Sequence, residues 1–301
     1  MYDIIVIGGG PAGLTAAVYA KRANKSCLVI EKGAFGGQIT FSPKVENIPG
    51  FAQVTGNEFA EKLVEQALNL DTEVEVAEVL EIKDGEVKTV VTDSGDFEAK
   101  AVIIATGAKH RLLGLNNEEN LIGEGISFCA VCDGAFYEGK DVAVIGGGNS
   151  ALQEAILLSD LCKKVYVVQN LDFFTGEQKL VEQLTKKENV ETVFSTVVEK
   201  INGETELESI VVKNEKSGEL TELKIDGMFV AIGLIPQNDC VADLVKLNDY
   251  GYVDADENCV TNRQGIFVAG DCRSKRIRQV ATAAGDGAVA ALAACDYIDN
   301  L

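Results

Sequence analysis

Twice in this 301-residue chain an apolar strand runs into a triplet of glycines and leaves it as a helical pattern. The first copy has a strand over residues 2–7, the turn Gly8-Gly9-Gly10-Pro11-Ala12-Gly13, and a helical pattern over 14–23. The second has a strand opening at Asp141, the turn Gly146-Gly147-Gly148-Asn149-Ser150-Ala151, and a helical pattern over 152–161. The continuation repeats as well. A second strand follows in each copy (27–30 and 164–168), then hairpin signals at Asp84-Gly85 and Ser94-Gly95 or at Asn202-Gly203 and Ser217-Gly218. A closing apolar strand ends each copy, over 101–105 and 228–231. Strands alternating with helices make a parallel sheet with right-handed crossovers. The pattern predicts an α/β protein of two Rossmann-like, three-layer dinucleotide-binding domains.

After the second copy only one strand (265–269) and one small-residue helix (279–297) remain. A lone strand and helix bury no core of their own. They must dock on the first copy, so the second domain is inserted in the first. The expected boundaries are 1–112 with 243–301 for the first domain and 113–242 for the second.

Each glycine of such a turn has its own task. Gly8 makes the tight turn, Gly10 leaves room for a pyrophosphate, and Gly13 lets helix and strand approach. The helix N-terminus offers the anion free N–H groups, and Pro11 suits a first helical position because its missing N–H is not needed there. Glu31 stands twenty-three residues after Gly8, where an acid accepts from the hydroxyls of an adenosine ribose. In the second copy Gly146 and Gly148 recur, Ala151 is the permitted third residue, and Asn149 and Ser150 complete the turn. The same interval there reaches Gln169, which is no acid, and residues 113–242 contain no arginine. Asp271 follows the late strand and reads either as an acceptor for a ribityl hydroxyl of a flavin or as a turn or helix-cap aspartate.

Of eight cysteines only Cys129 and Cys132 have a telling spacing. Three readings stand: half of a zinc site, two inert thiols, or a reversible dithiol/disulfide. Zinc needs two further soft or imidazole ligands, and the chain has one histidine, His110, and no second cysteine pair of that spacing. A two-residue spacer lets the sulfurs reach disulfide geometry and commonly goes with a lowered thiol pKa, so the redox reading fits best. The exchange moves protons, and Asp133 is the nearest acid to supply them. As an Asp-Gly step it also reads as an exposed turn. His110 is given no catalytic role.

The balance of 27 basic against 47 acidic residues gives a net charge of −20, which repels nucleic-acid backbones and anionic membranes. No run is long and apolar enough to span a bilayer, and the apolar start is too short for a signal peptide. A cytoplasmic protein is expected, with no metal.

These residues together resemble the low-molecular-weight thioredoxin reductases of bacteria. The likeness covers nearly the whole chain. It rests on Gly8 to Gly13, Gly36-Gly37-Gln38, Val45-Glu46-Asn47-Ile48-Pro49-Gly50, Ala105-Thr106-Gly107, Cys129-Ala130-Val131-Cys132-Asp133-Gly134, Gly146 to Ala151, Ala269-Gly270-Asp271 and Arg278-Gln279. The resemblance implies FAD in the first domain, held also by Gly37, Gln38, Asn47, Thr106, Gly107, Asp271, Gln279 and Val280. It implies a pyridine nucleotide at the second glycine turn and a redox-active Cys129–Cys132 disulfide, with Cys132 on the flavin side and Cys129 exchanging with the partner. It further implies a homodimer, a large rotation of one domain against the other, and thioredoxin or a similar small dithiol protein as substrate.

One departure stands out. The family grips the NADPH 2′-phosphate with a His-Arg-Arg cluster, and Gln169, Asn170 and Leu171 occupy those positions here. NADH, or a donor other than a nucleotide, is therefore expected in place of NADPH, unless Lys163, Lys164 or Lys179 fold over the phosphate. The alternatives are a ferredoxin-dependent flavin thioredoxin reductase and a flavin redox sensor protein whose disulfide reports cofactor state to a partner.

Overall fold

A computed structural model describes residues 1–42 and 44–301. The chain forms two compact units, Met1–Lys109 with Ile235–Leu301, and His110–Leu234.

In the first unit the strand Tyr2–Ile7 lies between Cys27–Glu31 and Gly95–Ile104, all parallel, with Glu73–Val76 beyond Cys27–Glu31. The late strand Ile266–Val268 joins the same sheet, parallel to the end of Gly95–Ile104. Alternation decides which side chain goes where, because successive residues of a strand point to opposite faces. Ile4 and Val6 enter one core with Ala12, Ala16 and Ala20 of the helix Pro11–Arg22 and with Ala290 and Ala294 of the helix Val280–Asp299. Ile5 and Ile7 enter another, with Ile82 and Val90 of the hairpin strands Val79–Lys83 and Lys88–Thr92. Helices, parallel sheet and antiparallel meander are the three layers. Both faces of the central strands are covered, as a parallel sheet requires.

The second unit repeats the design. Its parallel sheet runs Val190–Val193, Lys164–Val168, Asp141–Ile145, Gly227–Val230 and Ile126–Ser127. Val142 and Val144 face Leu152, Ala155 and Leu158 of the helix Asn149–Leu161. Ala143 and Ile145 face Ile201, Ile210 and Val212 of the meander Thr196–Asn202, Ser209–Asn214, Leu220–Lys224. Both hairpin signals mark meander turns.

Three sequence readings are corrected. The second crossing comes before Ile235, not at 242/243, because Val241 and Val245 are buried with Val253 and Cys272 in the first unit's core. Arg111 consequently belongs to the second unit, although the first crossing was expected after residue 112. The closing strand expected over 101–105 is the end of the ten-residue strand Gly95–Ile104, whose first half pairs antiparallel with Lys88–Thr92. The sequence reading also passed over the helix Gly56–Leu68. Its signal was present: Thr55 and Glu58 form a reciprocal capping box.

Candidate active site

The first glycine turn is fixed by backbone contacts that only glycine permits. Gly8 has φ +111°, and a Cβ there would lie 2.2 Å from the Ala105 carbonyl oxygen. A Cβ on Gly13 would lie 1.9 Å from the Gly8 carbonyl oxygen, so helix and strand touch at that point. Gly10 is different. The nearest atom to a Cβ there is the Gly37 Cα at 3.8 Å, and Gly37 itself has φ +68°. These two glycines face each other across a narrow cleft whose near atoms are backbone apart from Pro11 Cδ. The helix Pro11–Arg22 opens from Gly10 with no side-chain cap, so its first N–H groups are free for an anion.

Glu31 lies across this cleft. Its Oε2 accepts from the Gly9 N–H at 2.8 Å and its Oε1 from the Gly33 N–H at 2.9 Å. Each oxygen keeps a second lone pair. Asn47 Nδ2 donates to Gln279 Oε1 at 3.2 Å, and Gln279 is the N-cap of the helix that Val280 begins. Thr106 Oγ1 donates to Asn238 Oδ1 at 3.1 Å, while Gly107 turns the chain with φ +72°. Gln38 sits exposed on the short turn Gly37–Phe41.

Asp271 decides between its two readings. It caps no helix; Gln279 takes that role. Its Oδ1 is buried and accepts no hydrogen bond among the described residues. Burial raises its pKa, against the pull of Lys275 and Arg278. A buried oxygen waiting for a donor fits a ligand hydroxyl. With the backbone cleft and the helix N-terminus, it makes the set compatible with FAD.

The second turn repeats the backbone geometry. Gly146 has φ +131°, and a Cβ there would lie 2.6 Å from the Ala231 carbonyl oxygen. Gly148 is the N-cap of the helix Asn149–Leu161, again without a side-chain cap. Asn149 and Glu177 bond each other twice, Nδ2 to Oε1 at 3.0 Å and Glu177 N–H to Oδ1 at 2.7 Å, while Ser150 is exposed. Gln169 is only 4% exposed; its amide packs against Gly147 and its Nε2 donates to the Phe173 carbonyl at 3.2 Å. Asn170 is exposed, as are Leu171, Asp172 and Phe173 after it. Lys164 begins the strand that Gln169 follows and pairs with Glu191, and Lys163 pairs with Asp141. Both are held at the opposite end of that strand from Gln169. The cation that does reach this loop, Lys216, was missed in the sequence; it pairs with Asp172 at 2.8 Å. Its hairpin is distant in sequence, so no local signal pointed to it.

Cys129 and Cys132 form a disulfide, with Cα atoms 5.3 Å apart. The strand Ile126–Ser127 delivers Cys129 as the N-cap of a single helical turn, Ala130–Asp133, and the Cys132 N–H points at Cys129 Sγ at 3.2 Å. Ser127 ties the centre together. Its Oγ donates to Asp133 Oδ2 at 2.5 Å and accepts from the Cys129 N–H at 3.1 Å. Asp133 is not an exposed turn residue. Burial raises its pKa, the Ser127 hydroxyl opposes this, and its Oδ1 is buried without a partner among the described residues. His110 stacks on Phe128 at 4.4 Å, and burial lowers its pKa to about 4. Among the described residues no group of three or more metal-type ligands comes together. The six other cysteines are free thiols.

A family model described as pyridine nucleotide-disulphide oxidoreductase matches residues 2–287. A curated relative, the 34.2 kDa protein in the rubredoxin operon of Clostridium pasteurianum, is 44% identical over 299 residues, 98% of this chain and 97% of the relative. The thioredoxin reductase of Bacillus subtilis is 40% identical over 303 residues, 100% of this chain and 96% of the relative. The solved thioredoxin reductase of Streptococcus pyogenes superposes with a TM-score of 0.95 at 40% identity, covering 100% of this chain and 99% of its own. With its two dinucleotide folds and its disulfide, the chain belongs to the pyridine nucleotide-disulphide oxidoreductase family.

Proposed function

We propose that this protein is an FAD-dependent oxidoreductase that reduces the disulfide of thioredoxin, or of a similar small dithiol protein, through Cys129 and Cys132. The observation that carries the reading is the Cys129–Cys132 disulfide bonded through Ser127 to a half-buried aspartate. Bound FAD supplies the two-electron step between a nicotinamide and a disulfide. Gly8, Gly10, Gly13 and Gly37 give the cofactor's pyrophosphate its backbone cleft, Glu31 its ribose acceptor, and Asp271 its buried acceptor; Gln38, Asn47, Thr106, Gly107, Gln279 and Val280 complete the set.

Opening the disulfide consumes two electrons and two protons and leaves two thiols. Asp133, raised by burial, holds a proton at higher pH than an exposed aspartate, and Ser127 fixes the direction in which it is held. The Cys132 N–H stabilises negative charge on Cys129 Sγ. That favours Cys129 as the thiolate that attacks the partner disulfide. Val131, 65% exposed between the two cysteines, offers that partner an apolar contact.

The second unit takes the nicotinamide nucleotide at Gly146, Gly148, Asn149 and Ser150, and we assign NADH as the better donor. A 2′-phosphate needs bidentate cations. The loop after Val168 offers Asn170, and its lysine neighbour Lys216 is paired with Asp172. Two missing charge-assisted bonds, at roughly 1.5–3 kcal/mol each, weaken binding ~10²–10⁴-fold relative to an arginine-bearing site. In kcat/KM measured with both nucleotides, NADH should equal or exceed NADPH; a tenfold preference for NADPH overturns the assignment. Free thiols outside the redox pair suit a reducing, cytoplasmic compartment. A homodimer belongs to the same reading, on the family resemblance.

The variants Cys129→Ser and Cys132→Ser test the carrier directly. Each should abolish thioredoxin-disulfide reduction and leave FAD bound. Asp133→Asn should slow turnover by ~10²–10⁴, the usual cost of losing a positioned acid. Normal turnover by the double serine variant contradicts the mechanism.

A further inference from the structure

The loop that carries Asp271 is held from behind by a second acid. Asp286 stands on the helix Val280–Asp299 and is buried. Its backbone is fixed in turn: a Cβ on the next residue, Gly287, would lie 2.1 Å from the Ala12 carbonyl oxygen of the first glycine turn. Three residues converge on the Asp286 carboxylate. Oδ2 accepts from the Gly270 N–H at 3.0 Å, from Arg273 Nε at 2.9 Å and from Lys275 Nζ at 2.8 Å, and Oδ1 accepts from Arg273 Nη2 at 2.8 Å. Burial opposes the charge of Asp286, but the bonds from Arg273 and Lys275 hold its carboxyl below its ordinary pKa. Asp271, the residue after Gly270, is the contrast: its Oδ1 is buried and no described residue donates to it. Lys275 Nζ and the Gly270 N–H share one carboxylate oxygen, so this ammonium stands beside the peptide that leads into Asp271. A flexible ammonium beside an unpartnered carboxylate swings onto it unless another anion holds it.

We propose that Asp286 is a positioning residue of the flavin site: it fixes the turn at Gly270 and holds Lys275 away from Asp271, so that the Asp271 oxygen stays open to a ribityl hydroxyl. The inference rests on the reading that the first unit binds FAD. Arg273 is the rigid part of the device. Its guanidinium grips both oxygens of Asp286 and donates through Nη1 to the carbonyls of Asp256 at 3.3 Å and Ser274 at 3.2 Å. Lys275 is the movable part. Its side chain is 8% exposed, its one ion pair among the described residues is with Asp286, and its other bond is to Thr282 Oγ1 at 3.1 Å. An asparagine at 286 keeps an acceptor oxygen and loses the charge, which leaves Asp271 as the stronger acceptor for the ammonium.

The test compares Asp286→Asn with Asp286→Asn/Lys275→Met in the full-length, FAD-loaded protein. The FAD dissociation constant is read from flavin fluorescence as the loaded protein is diluted. Asp286→Asn should raise it by roughly tenfold or more, the worth of one charge-assisted bond. Removing the lysine as well should bring it back to within about threefold of the wild type, because no ammonium remains to cover Asp271. A merely structural loss is not repaired by deleting a second buried partner, so the rescue separates the two roles. Wild-type affinity in Asp286→Asn, or a double variant that binds no better than the single one, overturns the proposal. If Asp286→Asn fails to fold, Lys275→Met alone serves: it should hold FAD as the wild type does, and loss of FAD there would make the lysine a ligand of the cofactor and overturn the proposal. Wild-type protein that takes up no FAD removes the flavin reading and this inference with it. Wild-type protein that holds FAD, beside an unrescued double variant, removes the inference alone.

Discussion

Two carboxylates of the first unit have opposite surroundings. Glu31 is oriented by two backbone N–H groups, whereas Asp271 has a buried oxygen that nothing among the described residues satisfies. The difference sets two outcomes. Glu31→Ala should weaken FAD retention by roughly 1.5–3 kcal/mol, the worth of a charge-assisted bond, and should also loosen the turn it holds. Asp271→Leu should weaken FAD as well yet leave the FAD-free protein at least as stable, because a lone buried polar group is itself a cost. Fluorescence titration with FAD and thermal melting of the FAD-free protein separate the two. A destabilised FAD-free Asp271→Leu would show that the side chain serves the fold. At this scale the sequence was legible where chemistry depends on residue type and spacing, as for Cys129, Cys132 and Glu31. It was silent where the effect comes from burial by distant segments. Asp133 also reads as an exposed turn residue until burial and the Ser127 hydroxyl enclose it, and nothing in the sequence shows that Phe173 engages Gln169.

The strand–turn–helix element was the most legible part, because its glycines answer to backbone contacts within a few residues. They are not equivalent. A Cβ on Gly13 meets the Gly8 carbonyl at 1.9 Å and Val6 Cγ1 at 3.1 Å, so Gly13→Ala must push the helix off the strand. A Cβ on Gly10 meets nothing closer than 3.8 Å. Gly13→Ala should therefore lower the melting temperature of the FAD-free protein and abolish FAD binding together. Gly10→Ala should melt normally and lose FAD affinity alone, since its methyl group enters only the cleft. Equal melting losses for both would contradict the cleft. Boundaries were less legible than elements. The dithiol turn Ala130–Asp133 carries no periodicity over its four residues, and the strand Gly95–Ile104 changes partners midway, so only its parallel half looked like a buried strand.

In the whole molecule, duplication accounts for the three-layer repeat, and the insertion follows from where the last strand and helix find a core. The crossing before Ile235 was misplaced because the apolar residues after it pack through tertiary neighbours and not through a local pattern. The central claim is catalytic: electrons pass from a nicotinamide nucleotide through FAD and Cys129–Cys132 to a thioredoxin disulfide. The direct measurement is anaerobic turnover of oxidised thioredoxin by the FAD-loaded protein with NADH in excess, counting thiols formed per flavin. Many thiol pairs per flavin, lost in the Cys129→Ser/Cys132→Ser variant, is the expected result. A single pair per flavin, as from a redox sensor, or rapid reduction by ferredoxin with neither NADH nor NADPH effective, would contradict it.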